Sequence, residues 1–177
     1  MRIDGDGWYL RPDSVDDAPE LARAFAEDPH LAVDWGIEQI PDEELARLWL
    51  AEHAELWEHG EGRHLTVADG GSDQLLGGIN FHKIEAGHRR AEVGFWLAPW
   101  SRRRGIGSGA VKAACEWAFG NWDLHRIEMT TLPDNAGALA LAQKIGFTRE
   151  GLLRDRNFER GAFVDIVMLG VLAGELK

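Results

Sequence analysis

Cysteine and tyrosine occur once each in this 177-residue chain, as Cys115 and Tyr9. A single cysteine excludes an internal disulfide and fits a reducing, cytoplasmic compartment. No Cys/His pair has the short spacing of a zinc site, so no metal is expected. Runs of about 18 apolar residues are also missing, which argues against a membrane-spanning helix. The stretch from Met1 to Gly7 has no apolar core of the kind a secretion signal needs. Cations are scarce: 19 Lys and Arg stand against 30 Asp and Glu, a formal charge of -11. General binding to nucleic acid or to an anionic membrane needs basic patches and is therefore not expected. The same acidity suits a cationic partner, and it also serves simple solubility.

What is present is ordinary for a soluble globular fold, with 45% apolar and 28% charged residues. The length fits one domain over 1–177. Trp8 to Pro12 reads as a first strand, and Asp13 and Ser14 are N-cap candidates for a helix carrying Leu21, Ala24 and Phe25 on one face. Residues 28–40, with Pro29 and Gly36 as breakers, read as irregular. A second helix opens at Pro41-Asp42-Glu43-Glu44 and repeats Leu45, Leu48, Trp49, Glu52, Leu56 and Trp57 near a 3.6 period. Strands at 64–68 and 74–84 flank the turn Asp69-Gly70-Gly71-Ser72-Asp73, and a third covers 90–98. After a glycine-rich loop come a helix from Ala110 to Phe119, a strand at 125–131, a short helix with Leu139, Ala142 and Ile145, and two closing strands. Hairpins followed by a β-loop-α-β unit give an α/β (α+β) class with a right-handed crossover.

The loop Arg102-Arg103-Arg104-Gly105-Ile106-Gly107-Ser108-Gly109 is the most informative stretch. Glycines let a backbone approach a ligand closely, and a helix opening there aims free N–H groups and its positive dipole end at an anion. Three arginines in an acidic chain strengthen the case for a phosphate-bearing ligand. A P-loop needs Gly-Lys-Ser/Thr, which is missing here. Gly105-Ile106-Gly107-Ser108-Gly109-Ala110 does satisfy the dinucleotide pattern G-x-G-x-x-A, with Glu128 about 20 residues on. In that fold, however, the first glycine follows its strand directly, whereas Pro99 to Arg104 intervene here. The third pattern, Arg-x-x-Gly-x-Gly, is met by Arg102, Gly105 and Gly107.

With that pattern the chain resembles the GCN5-related N-acetyltransferase (GNAT) superfamily, and in particular its ribosomal-protein N-terminal acetyltransferase branch. Glu92-Val93-Gly94-Phe95-Trp96-Leu97 precedes the loop, and His125-Arg126-Ile127-Glu128 follows its helix. Asn135-Ala136-Gly137-Ala138, Gly146-Phe147, Glu150-Gly151, Arg154, Gly161 and Asp165 continue the likeness, which runs from about residue 64 to 172. It implies a mixed, mostly antiparallel seven-stranded sheet, splayed between strands 4 and 5 and flanked by about four helices. Acetyl-CoA would lie in the splay, its pyrophosphate on the loop formed by Arg102, Arg103, Arg104, Gly105, Ile106, Gly107 and Ser108. Phe95, Trp96 and Leu97 would meet the pantetheine arm from one side and Asn135 from the other. The family also implies a homodimer, to which the many large apolar residues of this chain are congenial.

Acetyl transfer to an amine needs a neutral nucleophile. Near pH 7.5 an α-amine costs about 0.5 kcal/mol to deprotonate and a lysine about 4 kcal/mol. Glu92 is the candidate base: some lysine-acetylating members carry their glutamate on this strand, and alternation puts Glu92, Gly94 and Trp96 on one face. The plainer reading pairs Glu92 with Arg89 or Arg90. Ungapped counting sets Asn157 where the branch has a sixth-strand glutamate, with Glu159 close by and within reach of a bulge. The serine and tyrosine that serve relatives as general acid are replaced by Ala138 and Ala142. His82 is a further acid/base candidate, and Trp35 and Trp96 are candidates for the acceptor groove. The expected activity is direct acetyl transfer to a primary amine, either a protein N-terminus or a small molecule such as a polyamine or antibiotic. A CoA-binding domain without activity is the rival.

Overall fold

Side-chain alternation along the strands sorts the chain's apolar residues onto two faces of one sheet. The computed structural model describes residues 1–177 apart from Trp35, Gly36, Glu38, Gly60, Glu61 and Arg160. The strands are β1 (Ile3–Asp4), β2 (Trp8–Pro12), β3 (Arg63–Asp69), β4 (Leu75–Glu85), β5 (Arg90–Leu97), β6 (Arg126–Thr131), β7 (Thr148–Glu159) and β8 (Ala162–Leu172). They lie in the order β1-β2-β3-β4-β5-β6-β8-β7. The helices are α1 (Ala18–Glu27), α2 (His30–Asp34), α3 (Glu43–His59), α4 (Ile106–Asn121) and α5 (Ala136–Ile145). Leu65, Val67, Phe81, Val93, Ile127 and Met129 point to one face, where α4 and α5 bring Val111, Ala114, Ala142 and Ile145. A second cluster joins Leu21, Phe25 and Leu50 of α1 and α3 to Leu75 and Ala98.

Only β5 and β6 run parallel. They pair at Arg90 with Arg126, Ala91 with Ile127 and Glu92 with Glu128, and no further. Beyond Glu92 the two strands part. This is the splay expected between the fourth and fifth strands, displaced by one in numbering because the two-residue β1 precedes the first expected strand.

The count differs from expectation at two short elements, β1 and α2, which bring the totals among the described residues to eight strands and five α-helices. Two residues and five residues are too short to carry a legible period, and α2 falls inside the stretch read as irregular. The face of α3 also differs. Ala46 and Leu50 are its buried residues, while Leu48 is exposed. The inward stripe runs through Ala46, Leu50 and Trp57, with the half-buried His53 between them. Alanine carries too little hydrophobic signal to mark that stripe against the larger Leu48.

Gly77 lies opposite Leu97 in the pairing of β4 with β5. A Cβ there would run into the Trp96 carbonyl oxygen and come within 2.9 Å of Leu97 Cδ2. Backbone cannot swing aside as a side chain can, so Gly77→Ala is expected to destabilise the fold by about 1–3 kcal/mol. In a thermal melt this reads as a fall of roughly 3–9 °C. Gly87→Ala, where a Cβ meets nothing within 4 Å, should leave the melting temperature in place.

Candidate active site

The parting of β5 from β6 opens a cavity of about 950 Å³. Its walls come from β4, β5, β6, β7, the loop after β5 and the start of α5. Along β5, from Val93 to Leu97, the backbone edge turned away from β4 has no strand partner.

At one end the cavity meets the glycine-rich loop. Gly105 is the N-cap of α4 with φ +79° and makes no side-chain cap. Among the described residues, no backbone acceptor faces the N–H groups from Arg102 to Ser108. An uncapped helix start of this kind concentrates positive potential. Gly107 matters for a different reason: a Cβ there would lie 2.9 Å from Leu97 Cδ1 and 3.0 Å from Leu141 Cδ1, so a larger residue would crowd β5 and α5. Ser108 donates its hydroxyl to the Gly105 carbonyl at 3.2 Å and accepts from Lys144 Nζ at 3.2 Å. Lys144, on α5, thus adds a cation to the loop that sequence reading missed.

The three arginines divide. Arg102 binds Asp28 at 2.6 Å and donates through Nε to the Leu97 carbonyl at 3.0 Å. Its charge is spent on fixing the chain as it leaves β5. Arg103, at φ +60°, and Arg104 are exposed. Phe95, Trp96, Leu97, Arg102, Arg103 and Asn135 line the cavity. Arg104, Gly105, Ile106, Gly107 and Ser108 do not; they carry the chain from Arg103 into the first turn of α4. Asn135 caps α5, its Oδ1 accepting from the Ala138 N–H at 3.0 Å, which leaves its Nδ2 as a donor. Trp96 both lines the cavity and packs on Phe25, ring centroids 5.7 Å apart.

Glu92 lies at the apex of the splay, almost fully buried. Lys83 Nζ donates to one of its oxygens at 2.6 Å and Thr130 Oγ1 to the other at 2.6 Å, with His82 Nε2 3.6 Å away. Burial pushes a carboxyl up, but here the donors around it, His82 just beyond hydrogen-bond distance and Lys83 and Thr130 within it, win and hold it at about 2. The arginine partners proposed for it go elsewhere, Arg89 to Asp123 and Arg90 to Glu85. Alternation would set Lys83 and His82 on opposite faces. An irregularity in β4 between His82 and Glu85, with Lys83 at φ +48°, turns the lysine back toward Glu92. No sequence signal marks that bulge.

Glu92 and Thr130 also line a second, adjoining cavity of about 330 Å³, so the carboxylate stands at the junction of the two. Around it are the remaining expected residues. His82 lines the larger cavity, and Asn157 lines both. Asn157 Nδ2 donates to Glu159 Oε1 at 3.0 Å. Between Leu153 and Asn157 the register of β7 against β8 shifts, and Asp155 takes φ +49°, so the bulge that would bring Glu159 to the cavity is present and Glu159 lines it. Asn80, which sequence reading passed over, has a buried Oδ1 without a partner among the described residues. Such an orphan is costly unless a ligand donates to it. Trp35 lies outside the described residues. Tyr9 is committed to Asp73, away from the cavity. Cys115 is buried in the main core, and burial pushes its thiol up, which leaves it unreactive.

An acetyltransferase (GNAT) domain matches residues 8–148 of the chain. The chain is 28% identical to an uncharacterized N-acetyltransferase, p20 of Bacillus licheniformis, over 94% of its own length and 93% of that protein. It is 32% identical to the ribosomal-protein-serine acetyltransferase of Escherichia coli over 53% of its length and 52% of the relative's. Among solved structures, RimL, a ribosomal L7/L12 α-N-protein acetyltransferase in complex with coenzyme A, shares the fold with a TM-score of 0.88 at 20% identity, over 97% and 98% of the two chains. No helix among the described residues is long and apolar enough to cross a membrane. A family match across most of the chain makes this protein a member of the GNAT family and an N-acetyltransferase.

Proposed function

We propose that the chain transfers the acetyl group of acetyl-CoA to a primary amine, and most readily to the α-amine of a protein N-terminus. The observation that carries this reading is the splay itself, with an unpaired strand edge on one side, free N–H groups at one end and an ionised carboxylate at its apex. The coenzyme supplies an acetyl thioester, whose thiol leaves readily as thiolate and so needs little help from an acid. That suits a cavity in which no tyrosine, serine or cysteine is found among the described lining residues.

The residues divide the work as follows. N–H groups of the loop and the first turn of α4 hold phosphate, and Arg103 and Lys144 add charge beside them. The open edge of β5 and Asn135 Nδ2 take up amide groups and polarise the thioester carbonyl. Asn80 Oδ1 accepts an N–H from the acceptor. Glu92 attracts the ammonium and favours positive charge as it builds on the attacking nitrogen. With its carboxyl at about 2, Glu92 is a poor proton acceptor: taking a proton from an amine near 8 is uphill by about 8 kcal/mol. The amine therefore arrives neutral, or passes its proton to water or to the His82 imidazole. A site so equipped favours α-amines over lysines. The carboxylate of Glu159, which has no ion-pair partner among the described residues, and the overall charge of -11 favour a second reading, a small polyamine acceptor.

Two outcomes follow. Because the ammonium must lose a proton, kcat/KM rises with pH through the acceptor's own pKa. Glu92→Gln should lower kcat/KM by about 10- to 100-fold while keeping that rise between pH 6 and 9, since Glu92 does not titrate there. If the rise disappears with the substitution, Glu92 is the base after all. In the second experiment, thiol release from acetyl-CoA is measured at pH 7.5 against a panel of acceptors. A peptide with a free N-terminus should exceed an N-blocked lysine peptide on the order of 100-fold. A faster reaction with spermidine or an aminoglycoside would move the assignment to a small-molecule amine.

A further inference from the structure

Outside the cavity, three potential ligands converge where α3 lies over the sheet. Asp13 comes from the turn after β2, His53 from α3 and His64 from the start of β3, and one donor atom of each lies within 4.8 Å of the others. We propose that Asp13, His53 and His64 form a binding site for a divalent d-block cation of the zinc type, completed by water. The site is independent of the acetyl-transfer reading, and none of its three residues lines the cavity.

The first argument is geometric. Tetrahedral zinc with bonds of about 2.0–2.2 Å sets its ligand atoms about 3.3–3.6 Å apart. His53 Nδ1 and Asp13 Oδ2 are 2.8 Å apart, and one donor atom of each of the three residues lies within 4.8 Å of the others. The rings of His53 and His64 are stacked at 3.6 Å with a tilt of 14°. A ring nitrogen binds in the plane of its ring, so coordination turns the two rings out of that stack. The proton on His53 Nδ1 then moves to Nε2, and the neutral imidazole coordinates through Nδ1.

The second argument is charge. Asp13 is largely buried, yet among the described residues its one ion-pair contact is His53, and no lysine or arginine pairs with it. Its other oxygen takes a hydrogen bond from Thr66 Oγ1 at 2.9 Å, but that hydroxyl lies at the same distance from Asp17 and has one proton to give. Asp17 has its own cation in Arg11. Asp13 has none. The His64 ring makes no hydrogen bond among the described residues, so its nitrogens are not committed to another partner there. Two imidazoles and one carboxylate favour zinc-like ions over magnesium or calcium, which take oxygen ligands. Bound there, the ion would tie α3 to β3 and to the turn after β2.

The test uses the full chain after dialysis against a chelator. Titration calorimetry with zinc chloride is expected to give one site per chain, and saturating zinc to raise the melting temperature by several degrees. His64→Ala and Asp13→Asn should each weaken zinc binding by about 100-fold and abolish the thermal shift, with acetyl-CoA binding unchanged as proof of folding. His53→Gln serves where His64→Ala does not fold, and the exposed His88→Ala should bind zinc like the parent chain. A stoichiometry far below one, or zinc binding that survives loss of His64 or Asp13, overturns the proposal. So does magnesium binding of equal strength, which would leave an acidic surface effect in place of a nitrogen-ligand site.

Discussion

The brevity of the β5–β6 pairing, three residue pairs ending at Glu92, is the constraint on which the rest of the site depends. Backbone N–H and C=O groups inside a protein need partners. β5 continues for five residues past Glu92 with one side bonded to β4 and the other side open. The two strands do not close up again because the core beneath them is already filled: Val93 and Met129 point into the same apolar cluster as Ala142 and Ile145 of α5. Thr130, the first β6 residue to face the gap beside Glu92, spends its hydroxyl on that carboxylate. Glu92 is thus the last tie between the strands and the first polar group of the cavity. An extended chain with amide groups can complete the open edge as a strand would, which is the physical sense of a pantetheine arm lying there.

That dual position accounts for the protonation state of Glu92. A carboxylate this deep would ordinarily be pushed toward its neutral form, and three donors on neighbouring strands reverse the balance. The consequence is a fixed anion, well suited to stabilising charge and badly suited to taking a proton. A cavity of this composition gains its rate from position and electrostatics, with proton removal left to the acceptor's own chemistry. The loop end follows the same logic with opposite sign. Its potential arises from backbone N–H groups and from Arg103 and Lys144, while Arg102 is used up in holding the turn together.

The individual strands and the loop were legible in the chain because each rests on local pattern: alternation in 64–68 and 90–97, glycines at 105 and 107, a helix immediately after. The splay was implied by the family resemblance of those motifs, not by the local pattern itself. Lys83 was not legible: it reaches Glu92 only because β4 slips between His82 and Glu85. Glu159 was expected near the cavity only on the condition of a bulge, and the slip in β7 meets that condition. One extra residue reverses the facing of everything after it, and nothing in side-chain periodicity announces where that occurs. The α3 stripe was misplaced toward Leu48 for a related reason, since the small Ala46 marks the buried face only weakly. Asp13, His53 and His64 illustrate the widest gap. Local spacing does not single these three out as a group, because they meet across 51 residues of chain through the folding of α3 over β3.

The two halves of the cavity are therefore built from different materials, and this bears on how one fold accommodates different amines. The donor half is largely backbone: N–H groups at a helix start, a strand edge, and a glycine whose lack of a side chain lets β5 and α5 approach. Its requirements are met by any sequence that turns the chain in this way, and they leave a compact signature within eight consecutive residues. The acceptor half is side chains: Asn80 and His82 from β4, Glu92 from β5, Asn157 and Glu159 from β7. These come from three strands, two of them bulged. On the proposed reading, substituting Asn80, His82, Asn157 or Glu159, none of which takes part in the β5–β6 pairing, would alter the lining and leave the donor side as it is. Recognition of the coenzyme would then be a property of the fold, and recognition of the amine a property of a few side chains placed upon it.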